Sequence, residues 1–104
     1  MLGSGVKTLR DVEKIPQEKD GLRGPRIKTA GIISGIQKMI TKKGDPMLFV
    51  TIEDLTNHIE LLVFSGTLAK NTKVWEPNKA ILVDGFLSWR NGEPKLICNA
   101  VREL

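Results

Sequence analysis

Residues 47–64 read MLFVTIEDLTNHIELLVF. From Met47 to Glu53 the side chains alternate, with Leu48, Val50 and Ile52 on one face and Met47, Phe49, Thr51 and Glu53 on the other. A period of two places successive side chains on opposite sides of a strand. Asp54 to Asn57 carries turn-forming residues, and His58 to Phe64 alternates again. There Ile59, Leu61 and Val63 oppose His58, Glu60, Leu62 and Phe64. Two alternating runs joined by four residues predict a β-hairpin with one apolar and one mixed face.

Working outward from this hairpin, the flanking segments also read as strands. Ile27 to Ile40 is rich in isoleucine but broken by Gly31 and Gly35. Glycine inside a strand marks a sharp bend or a bulge. Thr41 to Pro46 is a loop, with Gly44 allowing a tight reversal. On the other side, Ser65 is expected to cap a short helix reaching about Lys73, ended by Pro77-Asn78. Gly66, Thr67, Asn71 and Thr72 weaken that helix. Lys79 to Arg90 is a strand with Ile81, Val83 and Gly85 on one side, and Lys95 to Val101 is the last strand. Asn91-Gly92 between them is a strong two-residue hairpin signal. The predicted fold is all-β: a five-stranded OB-fold Greek-key barrel with a short helix between strands 3 and 4. An SH3-like barrel lacks that helix. Residues 26–104 form the barrel domain. Residues 1–25 are expected to be an extended, partly ordered lead-in with a short strand or turn between Leu9 and Ile15. Met1 to Gly5 has the look of a cloning scar.

The chain of 104 residues has room for one domain, with 40% hydrophobic and 27% charged residues. Its net charge of +4 permits a polyanionic partner without demanding one. No acidic residue lies between Asp20 and Asp45, where Arg23, Arg26, Lys28, Lys38, Lys42 and Lys43 fall. Cys98 is the single cysteine, so no internal disulfide forms, and its apolar neighbours predict a buried, inert thiol. No apolar run approaches the roughly 20 residues of a bilayer span, and no secretory leader is evident. A reducing, cytoplasmic setting is expected.

Residues 28–104 resemble the OB domain of bacterial replicative DNA polymerase III alpha subunits. The resemblance is carried by Lys28 to Ile33, Ile40 to Asp45, Phe49 to Thr56, Ile59 to Phe64 and Lys95 to Ile97. Asn57 stands where that family often has glycine; asparagine tolerates left-handed geometry. The resemblance implies an excised module of a polymerase whose catalytic carboxylates lie in another domain. It also implies contact with single-stranded template DNA and with the remainder of a DNA polymerase III holoenzyme.

An OB barrel binds single strands across its second and third strands by stacking bases on aromatics and tracking phosphates with cations. Phe49 and Thr51, outward if Leu48, Val50 and Ile52 point in, are candidates for base contact. Trp89 beside Arg90, near the Asn91-Gly92 tip, is a second candidate grip. Lys42 and Lys43 on the loop suit phosphates, with Lys38, Arg90 and Lys95 extending the path. Glu60 suits base amino groups but repels phosphate, so weak binding by the isolated domain is expected. Phe64 is read as a cap on the barrel and Trp75 as core. No catalytic constellation, metal site or cofactor is expected: the single His58 heads a strand on its outward face, and no nucleophile context or nucleotide fingerprint is present. Two alternatives stay open. One is an anticodon-binding-type barrel of an aminoacyl-tRNA synthetase reading RNA. The other is a protein-interaction barrel using an exposed strip of Met47, Phe49 and Leu62. A monomer is expected in isolation.

Overall fold

A computed structural model describes residues 6–16 and 24–104 of the chain. Eight elements follow in order: β1 (Val6–Lys7), α1 (Leu9–Glu13), β2 (Arg26–Ile40), β3 (Pro46–Glu53), β4 (His58–Val63), α2 (Ser65–Lys70), β5 (Ala80–Arg90) and β6 (Glu93–Glu103). The strands pair in the order β1-β2-β3-β4-β6-β5, and β2 also pairs with β5. That last pairing closes five strands into a barrel, which leaves the short parallel strand β1 outside the ring. The predicted OB architecture is therefore observed, with α2 between the third and fourth barrel strands.

The closure rests on β2. Its first half, Arg26 to Ile32, pairs with β5, and its second half, Ile32 to Ile40, pairs with β3. The two halves meet at a register shift between Ile33 and Gly35. A bulge of this kind bends a strand and increases its twist. Just before it, a Cβ on Gly31 would lie 3.0 Å from the Glu53 carbonyl oxygen, so the two backbones approach closely only because Gly31 has no side chain. Asn91 and Gly92 both have positive φ, 56° and 80°, which matches the twist of the flanking strands and makes a two-residue reversal.

Inside the barrel Ile33, Val50, Ile52, Leu61, Val63, Ile81, Val83, Leu87 and Leu96 are fully buried. Leu48, Val50 and Ile52 all join this core, as the alternation of β3 requires. Burying a side chain of this size stabilises by about 1.5–3 kcal/mol.

Three local expectations change. The helix after β4 ends at Lys70, not Lys73, and Phe64 rather than Ser65 occupies its cap position, without a side-chain cap hydrogen bond. Asn71 closes it by donating Nδ2–H to the Thr67 carbonyl. Phe64 does not cap the barrel; it is 42% exposed, and Leu68 and Trp75 pack against the core instead. In the lead-in, Leu9–Glu13 is a helix, where a short strand or turn between Leu9 and Ile15 is expected, and the two-residue strand β1 precedes it. Thr8 caps α1 through its hydroxyl, which accepts from the Asp11 N–H, and Leu9 and Val12 are buried in the core cluster. Met1 to Gly5, the suspected scar, lie outside the described residues, as do residues 17–23.

Candidate nucleic-acid interface

Directly opposed residues in neighbouring strands place their side chains on the same face. The barrel's outer surface over β3, β4 and β6 can therefore be read row by row. One row runs Gln37, Phe49, Leu62, Ile97. The next runs Gly35, Thr51, Glu60, Lys95. Phe49 and Thr51 are both half-buried. A Cβ on Gly35 would meet only Thr51, at 4.0 Å, so the sheet is unobstructed beside Thr51. Phe49, Thr51, Glu60 and Lys95 thus share one face, as the alternation predicts.

The row through Glu60 is charged but paired. Lys95 Nζ lies 3.3 Å from Glu60 Oε1 and 3.4 Å from Glu93 Oε2. The negative charge at Glu60 is therefore offset locally, and Lys95 is not a free cation for phosphate. Lys42 and Lys43 are exposed on the turn that leads into β3. That turn is closed by hydrogen bonds from the Thr41 N–H to the Asp45 carbonyl and from the Gly44 N–H to the Thr41 carbonyl. Arg90 is exposed at the opposite end of the face, with Nε donating to Ser88 Oγ at 3.3 Å. The two ends of the outer face thus each carry basic side chains.

Two candidates fall elsewhere. Trp89 is 3% exposed and belongs to the core cluster, with its ring edge against Gly24. A ring enclosed in this way offers no face to a base. Its parity explains the burial, because Trp89 lies two residues beyond the inward Leu87. Lys38 is exposed, but its register partner is Leu48, so it projects from the inward-facing side of β2 beyond the core. The bulge before Gly35 reverses the alternation of β2 and puts Gln37 and Met39, not Lys38, on the face of Phe49. The strip of Met47, Phe49 and Leu62 is not exposed as such either: Met47 and Leu62 are only 7% and 6% exposed. Met39, which the sequence does not single out, and Phe64, read there as a cap, are both well exposed at the Lys42 end of the same face. The outward parity of Phe64 was the available signal.

A groove of about 390 Å³ opens at the other end of the face. Thr51, His58, Ile59, Glu60 and Lys95 line it from the sheet, Glu93 and Pro94 from the start of β6, and Leu9 and Val12 from α1. The helix is held there by Asp54. Its Oδ2 accepts from the Leu9 N–H at 3.0 Å, while Oδ1 accepts from the Thr56 hydroxyl at 2.7 Å and from the N–H groups of Thr56 and Asn57. Burial acts to raise the Asp54 pKa, but these hydrogen bonds outweigh it and hold the carboxyl at about 2. Among the described residues, no three His, Cys, Asp or Glu side chains come together to hold a metal. Cys98 is buried, and burial, helped by the nearby Asp84 charge, pushes its thiol up to about 12.

A family model for the OB-fold nucleic acid binding domain, headed tRNA anti-codon, matches residues 27–104. The chain belongs to this family. Among curated relatives, the DNA polymerase III alpha subunit of Saccharopolyspora erythraea is 39% identical over 67 residues, 64% of this chain and 6% of the relative. The same subunit from Escherichia coli K12 is 28% identical over the same coverage. An error-prone DNA polymerase of Rhodopirellula baltica is 30% identical over 90 residues, 86% of this chain and 7% of the relative. The chain thus spans only a small fraction of the length of the polymerases it matches. No helix among the described residues is long and apolar enough to cross a membrane.

Proposed function

We propose that this OB-fold domain binds single-stranded DNA across β3, β4 and β6. In a longer bacterial polymerase of the alpha-subunit type it would position template DNA during chromosomal replication, in the cytoplasm. Catalysis would belong to other parts of that protein, and the remainder of the holoenzyme would be its partner. The observation that carries the reading is the outward, half-buried Phe49 beside the unobstructed Thr51, with exposed Lys42 and Lys43 at one end of the face and Arg90 at the other. An aromatic platform flanked by cations suits a single strand, because stacking is indifferent to sequence and the cations follow the backbone. The paired charges of Glu60, Glu93 and Lys95 limit the net attraction. Affinity in the isolated domain is therefore modest, and tethering within a larger enzyme supplies the rest through effective concentration.

An anticodon-type reading, in which RNA is bound, is favoured only by the heading of the family model. Titration with matched oligomers separates the two. Amide shifts of Phe49, Thr51 and Lys42 should move with single-stranded DNA and not with a duplex. Equal movement with a duplex, or movement elsewhere, refutes the proposal. A marked preference for RNA would favour the second reading, since a site that reads the 2′-hydroxyl discriminates in its favour.

A further inference from the structure

We infer that the groove between α1 and the start of β6 is a base-selecting subsite that prefers guanine. The inference rests on the single-strand reading above and names what that face would discriminate. At about 390 Å³ the groove is at the lower end of sites that enclose a small ligand, and suits one nucleotide. The half-buried Pro94 gives it an apolar wall on one side, and Leu9 and Val12 of α1 line the other while exposing little surface of their own. It continues the platform: Thr51, which lines the groove, lies on β3 two residues from Phe49. A strand stacked on Phe49 therefore leads directly into it.

The polar groups of the groove match one base edge. The Glu60 carboxylate presents two acceptor oxygens side by side, and its side chain is 33% exposed. The Watson–Crick edge of guanine presents two adjacent donors, N1–H and the 2-amino group, followed by the O6 acceptor. Lys95 Nζ, 3.3 Å from Glu60 Oε1 and 3.4 Å from Glu93 Oε2, uses two of its three donors on those carboxylates. The third is left for O6. Carboxylate and ammonium side by side thus reproduce the complement of donor, donor, acceptor. Adenine and cytosine offer one amino donor next to a ring acceptor, which a carboxylate repels. Thymine offers one N–H flanked by two carbonyls. Only guanine gives both carboxylate oxygens a donor while its acceptor meets the ammonium.

The test uses a single-stranded dT12 carrying one central dG, dI, dA or O6-methyl-dG, with binding followed by fluorescence anisotropy. The dG oligomer should bind about tenfold more tightly than the dA oligomer, the discrimination of one good bidentate contact. Removing the 2-amino group, as in dI, and blocking N1–H, as in O6-methyl-dG, should each remove most of that advantage. In Glu60→Gln the ratio of dG to dI affinity should fall to about one. The wild-type oligomer series stands even if that variant does not fold. If all four oligomers bind equally, the subsite is refuted while the single-strand reading survives. If none of the four binds, both fail.

Discussion

Asp54 offers the sharpest quantitative test, because one carboxylate holds both the β3–β4 turn and the helix that walls the groove. In Asp54→Asn the side chain keeps its size but loses its charge, and its amide nitrogen cannot accept the Leu9 N–H. The fall of the Asp54 pKa from 3.8 to about 2 corresponds to about 2.5 kcal/mol, at about 1.4 kcal/mol for each pKa unit. The carboxylate is partly open to water, so solvent screening reduces this to about 1 kcal/mol. A folded-state pKa below the unfolded value stabilises the protein above about pH 4, and that contribution is lost as pH falls towards 2. Urea unfolding of wild type and variant should therefore differ by about 1 kcal/mol at pH 7, a Tm difference of about 4–8 °C for a domain of this size. The gap should close between about pH 4 and pH 2, since other titrating groups act alike in both proteins. Hydrogen exchange at the Leu9 amide should quicken in the variant at neutral pH. A gap of the same size at pH 7 and pH 2, or a Leu9 amide equally protected in both, would refute the assigned role of the carboxylate.

Other outcomes follow from the same geometry. Replacing Lys42 and Lys43 with alanine should weaken oligonucleotide binding and reduce its log–log salt slope by about 1.4, about 0.7 for each lost phosphate contact, with the urea midpoint unchanged. Phe49→Ala should weaken binding by about 1–3 kcal/mol at every salt concentration, because stacking is not screened; an unchanged affinity in titrations would exclude the platform. Gly85→Ala should cost about 3 kcal/mol or more in urea unfolding, since the new Cβ would sit on the Ile97 carbonyl of the adjacent strand, which is backbone and cannot move alone. Cys98 should resist a thiol reagent at pH 8 in the native protein and react once urea is added; rapid native labelling would contradict its burial.

The barrel was legible because its information is local. Alternation in Met47 to Glu53 and His58 to Phe64, the glycines of β2 and the Asn91-Gly92 turn each follow from backbone geometry and side-chain period, which need no knowledge of distant residues. They gave the strand count, the inward set of β3 and the outward position of Phe49. The tertiary structure decided what depends on pairing between distant segments. The β2 bulge reverses which side Lys38 faces, and its position depends on how two halves of one strand meet two different partners. Trp89 shares the inward parity of Leu87, and only its packing against Gly24 shows that this parity outweighs its nearness to a turn. Leu9 meets Asp54 across 45 positions of sequence, and Glu60 meets Lys95 only because β4 and β6 lie parallel in the closed sheet. Periodicity says which way a side chain points along its own strand; closure of the barrel determines what it then faces.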